Sequence, residues 1–357
     1  LIKNGQVSWR EEPPFQHIAF VGLDFYGSYR DPSSADYGLG TTKPTAFSLL
    51  VAKAGISIND ILFEDVRVRF YEIGMQISGA VGGRVSDITI RRSVIADNFG
   101  MGIMIPYSDN VTLEENTFLR NAWEKRSVFV HNVYMREATG FIARNNLIAY
   151  GGNAGIKLSA DAIEGCTDFR IENNLFYKNS LNLDHSAGPV GDTATTVTHA
   201  RGIVSRNVFT QPGKTIPYNS TSLQTFATYI LNTSDMTFDG NVFAHNTDFF
   251  AGGQTLAFSS MKNANITSRN NIVSDWQSNW FNNNGSYISG LLTIQNLIQE
   301  NDFPLNVTYT DPARSIETYN ATLGGQPNAD EFLRSAANRE RGIWDPRYTA
   351  NAVNSYI

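Results

Sequence analysis

A short alternating pattern that ends in asparagine recurs along the chain, and it limits the fold more than any other feature. Each copy runs polar, apolar, any residue, apolar, two polar residues, asparagine and then apolar residues. The clearest copies are Asn110–Phe118, Gly140–Ile148, Asp168–Phe176, Arg201–Phe209, Asp235–Phe243 and Asn265–Val273. Their asparagines, with a further copy near Leu297, are Asn116, Asn146, Asn174, Asn207, Asn241, Asn271 and Asn296. Val66 and Ser93 take the same place in two earlier copies.

The spacing of these asparagines predicts a solenoid. Successive members lie roughly 25–34 residues apart, within the range of coils in repeat proteins. Each repeat holds a period-2 strand, a tight turn and a second apolar strand, which is too short for a strand–helix–strand unit. We therefore predict an all-β, right-handed, single-stranded parallel β-helix. We expect each asparagine to adopt the left-handed conformation and to bond to its copy in the next coil.

The repeat also sets the expected domain organisation. Coils are predicted over about 15–310, and the whole chain, 1–357, is predicted to be one domain. Asp330–Arg339 is typical of a short helix with an acidic first turn. We expect the tail, about 311–357, to cover the last coil, because solenoids need capped ends.

Composition narrows the classes of partner. A formal net charge of -6 argues against nucleic-acid binding but not against a local anionic ligand. Cys166 is the only cysteine, so no intrachain disulfide can form and a buried thiol is expected. No apolar run is long enough for a membrane span. The first residues resemble mid-chain sequence, which suggests a removed signal and a secreted or periplasmic protein. We expect a monomer.

A third strand follows the asparagine turn in several coils and predicts a binding face. The aligned segments are Gly74–Ser78, Gly102–Pro106, Asn132–Arg136, Gly155–Ser159 and Ser180–Asp184. Apolar residues alternate in all of them, so one face is buried. The other face is predicted to carry Gln76, Met104, Tyr134, Lys157 and Asn182 in one row, flanked by Asn132, Arg136, Ser159 and Asp184. Loops at 120–126 and 186–200 are expected to border it.

The residues that could perform chemistry cluster on this row. Tyr134, Lys157, Arg136 and His131 are the candidate catalytic residues, and Asn132, Gln76, Asn182, Asp184 and His185 are candidates for substrate binding. Structural interpretations compete with this one. Tyr134 and Arg136 could form a surface cation–π pair, with Lys157 solvated. His131 could bond to backbone, and Asp184 with His185 could form a turn.

This set of side chains suits β-elimination on a uronate polymer. The proton on C5 becomes acidic once the adjacent carboxylate is neutralised, so the site needs a neutraliser, a base and an acid. Arg136, Asn132 or His131 can neutralise the carboxylate through hydrogen bonds. Lys157 can be the base and Tyr134 the acid, or Tyr134 can be the base if the proton and the leaving oxygen share one face of the sugar.

Two segments resemble a known family. Phe129–Tyr134, followed one coil later by Asn153–Leu158, resembles bacterial β-helix polysaccharide lyases, nearest to alginate lyases of family 31. The tail Gly342–Ile357 is also similar to the closing segment of such proteins. The resemblance implies a Tyr/Lys pair without a metal or cofactor, which maps onto Tyr134 and Lys157. Ala154 and Ser159 stand where the family would have His or Arg, so the neutraliser stays open.

Other functions remain candidates on the same fold. A glycoside hydrolase needs two carboxylates, for which Asp161, Glu164 and Asp184 are available. A C5-epimerase shares the proton-abstraction step, but its Asp-Pro-His signature is absent. A non-catalytic, tailspike-like sugar-binding module would carry a trimerisation segment, which the sequence lacks. Calcium-dependent lyase chemistry is disfavoured because no acidic cluster lies on one face. We therefore predict a metal-independent lyase acting on an acidic polysaccharide, with alginate as the favoured substrate.

Overall fold

The structure is a computed structural model of the 357-residue chain. It describes the backbone of residues 2–3, 6–10, 14–39, 44–51, 56–80, 82–122, 129–160, 165–179, 181–186, 199–211, 225–246, 255–261, 264–276, 292–293, 297–300 and 313–357. These residues form the predicted all-β, right-handed parallel β-helix, and their strands line three faces.

The strands are named β1 to β30 in chain order and fall into three sheets. The first sheet contains β3 (Phe15–Val21), β6 (Ile58–Glu64), β9 (Val85–Arg91), β14 (Ile142–Arg144), β17 (Arg170–Glu172), β20 (His199–Ala200), β21 (Ile203–Ser205), β24 (Thr233–Asp239), β27 (Ala264–Arg269) and β30 (Leu297–Glu300). The second sheet contains β4 (Asp24–Tyr26), β7 (Arg67–Arg69), β10 (Val94–Ala96), β12 (Thr117–Leu119), β15 (Leu147–Ala149), β18 (Leu175–Tyr177), β22 (Val208–Thr210), β25 (Val242–Asn246) and β28 (Ile272–Trp276). The third sheet contains β1 (Ile2–Lys3), β2 (Gln6–Arg10), β5 (Thr45–Leu50), β8 (Ile73–Ser78), β13 (His131–Thr139), β16 (Ala154–Ser159), β19 (Leu181–Ser186), β23 (Thr225–Leu231), β26 (Thr255–Met261) and β29 (Leu292–Thr293).

Consecutive coils stack in parallel register on all three faces. The long strand β11 (Met101–Glu114) belongs to two of them, pairing with β8 and β13 on the third sheet and with β9 and β14 on the first. The one antiparallel pairing among the described strands joins β1 to β2. Two 3₁₀ helices, Ser28–Arg30 and Pro346–Tyr348, and three α-helices complete the described elements: α1 (Ile316–Thr322), α2 (Ala329–Ala337) and α3 (Ala350–Tyr356).

The predicted asparagine series forms a continuous ladder, called here the first ladder, at the corner between the first and second sheets. It comprises Asn116, Asn146, Asn174, Asn207, Asn241 and Asn271, all of them buried. Each amide nitrogen except that of Asn271 donates to the next amide oxygen, for example Asn146 Nδ2 to Asn174 Oδ1 at 2.9 Å. Each also donates to a carbonyl of the preceding coil, as Asn146 does to Leu113. Ser93 accepts from the backbone of Val66 and so extends the ladder, while Asn296 lies outside the described residues.

The left-handed conformation belongs to the residue before each asparagine, which corrects our expectation for the asparagines themselves. Glu115, Asn145 and Asn173 have φ of 56°, 58° and 52°. Placing the left-handed residue one position earlier turns the chain sharply and leaves the asparagine amide directed into the ladder. Glutamate and arginine, at Glu115 and Arg206, adopt this conformation as well as asparagine, although it is uncommon for residues with such side chains.

The interior of the coils is filled by the inward residues of all three sheets. Phe176, Phe209 and Phe243 stack in consecutive coils with ring centroids 4.8 and 5.0 Å apart. Cys166 is buried as expected, and burial raises the pKa of its thiol to about 11. Side chains that repeat at the same height in each coil therefore pack against their own copies.

The C-terminal tail packs along the side of the β-helix, whereas we expected it over the last coil. Phe332 and Leu333 of α2 and Val353 of α3 are buried against the outward face of the second sheet. The side chains that they cover include Val94, Ala96, Leu119, Leu147, Ala149, Leu175, Tyr177 and Val208. The predicted helix with acidic Asp330 and Glu331 in its first turn is α2. We call residues 313–357 the strap.

Polar contacts along the length of the strap hold it to widely separated coils. His245 Nε2 contacts the carbonyl of Arg314, Asn173 Nδ2 donates to Asn351 Oδ1 at 3.0 Å, and Arg341 donates to the carbonyl of Gly22. Tyr150 donates to Asp330, and burial together with this bond raises the pKa of the phenol. In the described part of the chain, no helix has the length and apolarity needed to cross a membrane.

Candidate active site

Tyr134 and Lys157 occupy neighbouring positions of one row on the third sheet, as predicted. The register pairs Gln76 with Met104, Met104 with Tyr134, and Tyr134 with Lys157. Paired residues on adjacent parallel strands lie about 4.8 Å apart and point to the same side of the sheet. The flanking residue Met135 is fully buried, which places the alternate positions, including Tyr134, on the outward face.

The row continues through Asp184 and not through Asn182, which corrects the predicted alignment. Lys157 pairs with Asp184, whereas Asn182 falls two positions earlier, beside Gly155. The error arose because Leu181 and Leu183 alternate with polar residues in either alignment, so the pattern alone could not fix the register. Asp184 and His185 lie in strand β19, so the predicted turn at this point is wrong. The side chains of these three residues are outside the described part of the structure.

His131 lies beside both members of the pair. Its ring stacks on that of Tyr134 with centroids 5.5 Å apart and planes 8° from parallel. Its Nδ1 accepts a hydrogen bond from the backbone N–H of Ala154 at 3.2 Å, so the neutral ring carries its proton on Nε2. Burial and the charge of Lys157 lower the pKa of His131 well below 6.5. His131 is therefore a neutral hydrogen-bond donor at neutral pH. The predicted backbone bond is confirmed, and its part in catalysis stays a prediction.

Lys157 is enclosed, contrary to our expectation of an exposed side chain. Only 5% of its surface is exposed, and every residue of β16 is buried. Tyr134 and Gln76 are half-buried in the same row. The Lys157 stem therefore contributes packing as well as charge.

Arg136 pairs with a different aromatic ring from the one predicted. Its guanidinium lies over Tyr107, 5.0 Å from the ring centroid, one strand away from its predicted partner Tyr134. In register, Arg136 lies between Pro106 and Ser159, in the position two residues along from the Tyr134 row. Gln76, a member of the row itself, donates a hydrogen bond from its side-chain amide to the hydroxyl of Ser78 at 3.3 Å. Arg136 thus flanks the row with a positive charge, as the sequence predicted.

Asn132 is not a surface residue, so its predicted role in binding substrate or neutralising a carboxylate is wrong. It is fully buried. Its Oδ1 accepts from Asn121 Nδ2 at 2.7 Å, and its Nδ2 donates to Asn179 Oδ1 at 3.0 Å and to the carbonyl of Ala149 at 3.1 Å. All of its amide atoms are committed to neighbouring coils, which leaves none for a ligand.

One residue of the row escaped the sequence analysis. Tyr229 pairs with Asp184 and therefore lies on the Tyr134–Lys157 row, and its side chain is buried. The irregular spacing between β19 and β23 hid the repeat there. The loops predicted to border the face, at 120–126 and 186–200, fall largely outside the described residues.

The comparisons with known proteins agree with the fold. A family model described as "Right handed beta helix region" matches residues 54–226. No curated protein matches the sequence.

Several solved structures are similar in fold at low sequence identity. DFA-IIIase from Arthrobacter chlorophenolicus A6, in a structure without its lid, is 17% identical over 76% of this chain, with a TM-score of 0.48. This chain spans 62% of that protein's length. The A-module of the mannuronan C-5 epimerase AlgE4 from Azotobacter vinelandii is 14% identical over 66% of this chain and 70% of its own, with a TM-score of 0.36. The pectate lyase Pel9A is 12% identical over 90% of this chain and 87% of its own, with a TM-score of 0.40. These likenesses concern the fold.

Proposed function

We propose that this protein is a polysaccharide lyase that cleaves a uronate polymer, with alginate as the favoured substrate, by β-elimination. The observation that carries the proposal is the pairing of Tyr134 with Lys157 on adjacent strands of one outward face. Side chains on adjacent strands, whose backbones lie about 4.8 Å apart, can reach one sugar unit and its glycosidic bond. The resemblance of Phe129–Tyr134 and Asn153–Leu158 to family 31 alginate lyases supports the same pair.

The reaction needs one proton removed and one delivered. A base takes the proton from C5, the electron pair forms the C4–C5 double bond, and the C4–O bond breaks with its electrons going to the glycosidic oxygen. An acid then protonates that oxygen. In one assignment Lys157 is the base and Tyr134 the acid. In the other, Tyr134 carries out both transfers and Lys157 supplies positive charge to the carboxylate and to the tyrosinate.

The groups around the pair suit the neutralisation of a carboxylate. His131 offers a neutral Nε2–H donor, because its Nδ1 is occupied by the N–H of Ala154. Arg136 provides a permanent positive charge beside the row. Hydrogen bonds from such donors to the carboxylate stabilise the negative charge that develops when C5 loses its proton. The neutraliser is thus assigned to His131 and Arg136, with Asn132 removed from the set.

The test is turnover of a panel of uronate polymers, followed by the ultraviolet absorbance of the unsaturated product. Lys157→Met and Tyr134→Phe should remove activity, while Tyr107→Phe, a matched tyrosine outside the row, should retain it. Lys157→Arg separates the two assignments: arginine keeps the charge but cannot act as a base, so residual activity in that variant favours Tyr134 as the base. An excess of chelator should leave the rate unchanged.

A glycoside hydrolase is the second candidate, favoured by the register position of Asp184 beside Lys157. Hydrolysis would release reducing ends without absorbance from a double bond, and it would be lost in Asp184→Asn. Exchange of the C5 proton with solvent without chain shortening would instead indicate an epimerase. Either outcome would replace the lyase proposal.

A further inference from the structure

A second asparagine ladder runs along the corner between the second and third sheets. One of its members lies in a third-sheet strand, whereas the others lie at the turn after a second-sheet strand. Asn98, Asn121 and Asn179 each follow a residue with positive φ at the end of a second-sheet strand. Gly151 occupies this place in the coil between Asn121 and Asn179, after Tyr150. The ladder should therefore break at Gly151, which has no amide to contribute.

Asn132 fills the gap left by Gly151. Its Oδ1 accepts from Asn121, and its Nδ2 donates to Asn179 Oδ1, so it links the two asparagines on either side of the glycine. A Cβ placed on Gly151 would lie 2.8 Å from Asn132 Nδ2 and 3.0 Å from Asn179 Oδ1. The same Cβ would lie 2.8 Å from the carbonyl oxygen of Ala154, so Asn132 and the backbone of β16 together take the space for a side chain, and glycine is required at position 151 for steric reasons.

Asn132, which completes the second ladder, belongs to β13, the strand that carries Tyr134. Asn132 stands between His131 and Val133, two residues before Tyr134. In the preceding coil Gly102 follows Asn98 closely, whereas eleven positions separate Asn121 from Asn132. A strand that follows a longer connection has more conformational freedom at its start, and the four hydrogen bonds of Asn132 remove it.

We infer that Asn132 is a positioning residue, an inference that rests on the proposed lyase function. It fixes the start of β13 so that Tyr134 and His131 face Lys157 on β16. The bonds run to Ala149 and Asn179, which belong to the coil of Lys157 and the coil after it. Misplacement of a reacting group by about 1 Å can cost about 100-fold in rate, so this anchoring has kinetic consequences.

The experiment compares Asn132→Ala with Asn146→Ala. Asn146 is equally buried and makes the same set of bonds in the first ladder, at the opposite corner from Tyr134. Both variants should lose stability to a similar degree. Asn132→Ala should lower kcat about tenfold or more with little change in KM, because it moves groups that act on the transition state. Asn146→Ala should retain kcat. Equal losses of kcat in the two variants would overturn the inference.

Gly151→Ala approaches the same contact from the other side. Its Cβ would crowd Asn132 and also the Ala154 carbonyl on β16, so it should lower kcat. The double variant with Asn132→Ala should lose less than the sum of the two single losses, because the contact with Asn132 is shared. Additive losses would contradict the shared-space argument.

A readout that does not need activity separates this inference from the proposed function. Hydrogen exchange of the backbone amides of His131–Arg136 should rise in Asn132→Ala and stay low in Asn146→Ala. If the wild-type protein cleaves no uronate polymer, the lyase proposal fails, yet the exchange experiment still decides whether Asn132 orders this strand. Unchanged protection in Asn132→Ala would overturn the positioning role.

Discussion

The outward faces of the second and third sheets come from the same repeating coil, yet they carry opposite kinds of side chain. On the second sheet the strap covers outward residues that are mostly apolar, such as Val94, Leu119 and Leu147. On the third sheet the outward row carries Gln76, Tyr134 and Lys157. The first face stabilises the fold by burying apolar area. The second carries groups that can exchange protons. The proposed function therefore places chemistry on a different side of the β-helix from the strap, and the following predictions test that division.

The largest expected effect is on catalysis and comes from the third sheet. Tyr134→Phe and Lys157→Met should each lower kcat by about 10²–10⁴-fold, because each removes a positioned proton donor or acceptor. Tyr134→Phe should change the free energy of unfolding by no more than about 1 kcal/mol. Methionine is chosen at position 157 to retain the packing of the buried stem. The comparison breaks if urea unfolding shows that either variant loses activity only through unfolding.

Substitutions in the strap should lower stability and leave the activity of the folded protein unchanged. Phe332 is fully buried and packs against Tyr319 and Tyr348, with ring centroids 5.7 and 5.6 Å away. Phe332→Ala should lower the free energy of unfolding by about 3–5 kcal/mol, through lost burial and the cavity that remains. Activity per folded molecule should be retained. Ile343→Ala is the control, since that strap residue is 56% exposed and should change stability by about 0.5 kcal/mol at most.

His131 should make stability depend on pH. Its folded pKa lies well below the unfolded value of about 6.5, because burial and the charge of Lys157 disfavour the imidazolium. Below pH 6.5 the unfolded chain binds a proton that the native protein does not. The contribution is therefore present above about pH 6.5 and lost as pH falls towards the folded pKa, by up to about 1.4 kcal/mol per pH unit.

Urea unfolding of wild type and His131→Gln at several pH values checks this slope. The variant should show a shallower dependence between about pH 6.5 and 5. A wild-type slope matching that of His131→Gln would show that His131 titrates alike in the folded and unfolded states.

The smallest effect is expected from ion pairs between coils. Arg144 Nε lies 2.7 Å from Glu114 Oε1, and hydrogen bonding to Glu114 raises the pKa of the guanidinium. The arginine side chain is 47% exposed, so solvent screens the pair. Arg144→Gln should lower the free energy of unfolding by less than about 1 kcal/mol, and less still in high salt. A loss comparable to that of Phe332→Ala would show that surface charge, and not the strap, dominates stability.

The local repeat was sufficient to predict the third-sheet row as far as Lys157, but not beyond it. Gln76, Tyr134 and Lys157 lie in strands where apolar residues occupy every second position, and this alternation predicted their register. In β19 two alignments satisfy the same alternation, and only the pairing of Lys157 with Asp184 distinguishes them. The prediction that Asn132 faces outward was wrong for a related reason. Its alternation predicts an outward side chain, whereas the missing amide at Gly151 draws it into a ladder.

The sequence by itself determined the β-helix, its first ladder and the Tyr134–Lys157 pairing, because these depend on contacts between identical positions of successive coils. In a repeat protein, equivalent positions of successive coils lie next to each other, so the sequence repeat predicts these contacts. Tertiary structure decided where the strap lies, which aromatic ring Arg136 covers and how far Lys157 is buried. Each of these depends on chain segments far apart in sequence, such as Arg341 beside Gly22, and no local pattern records the free-energy difference between alternative packings of that kind.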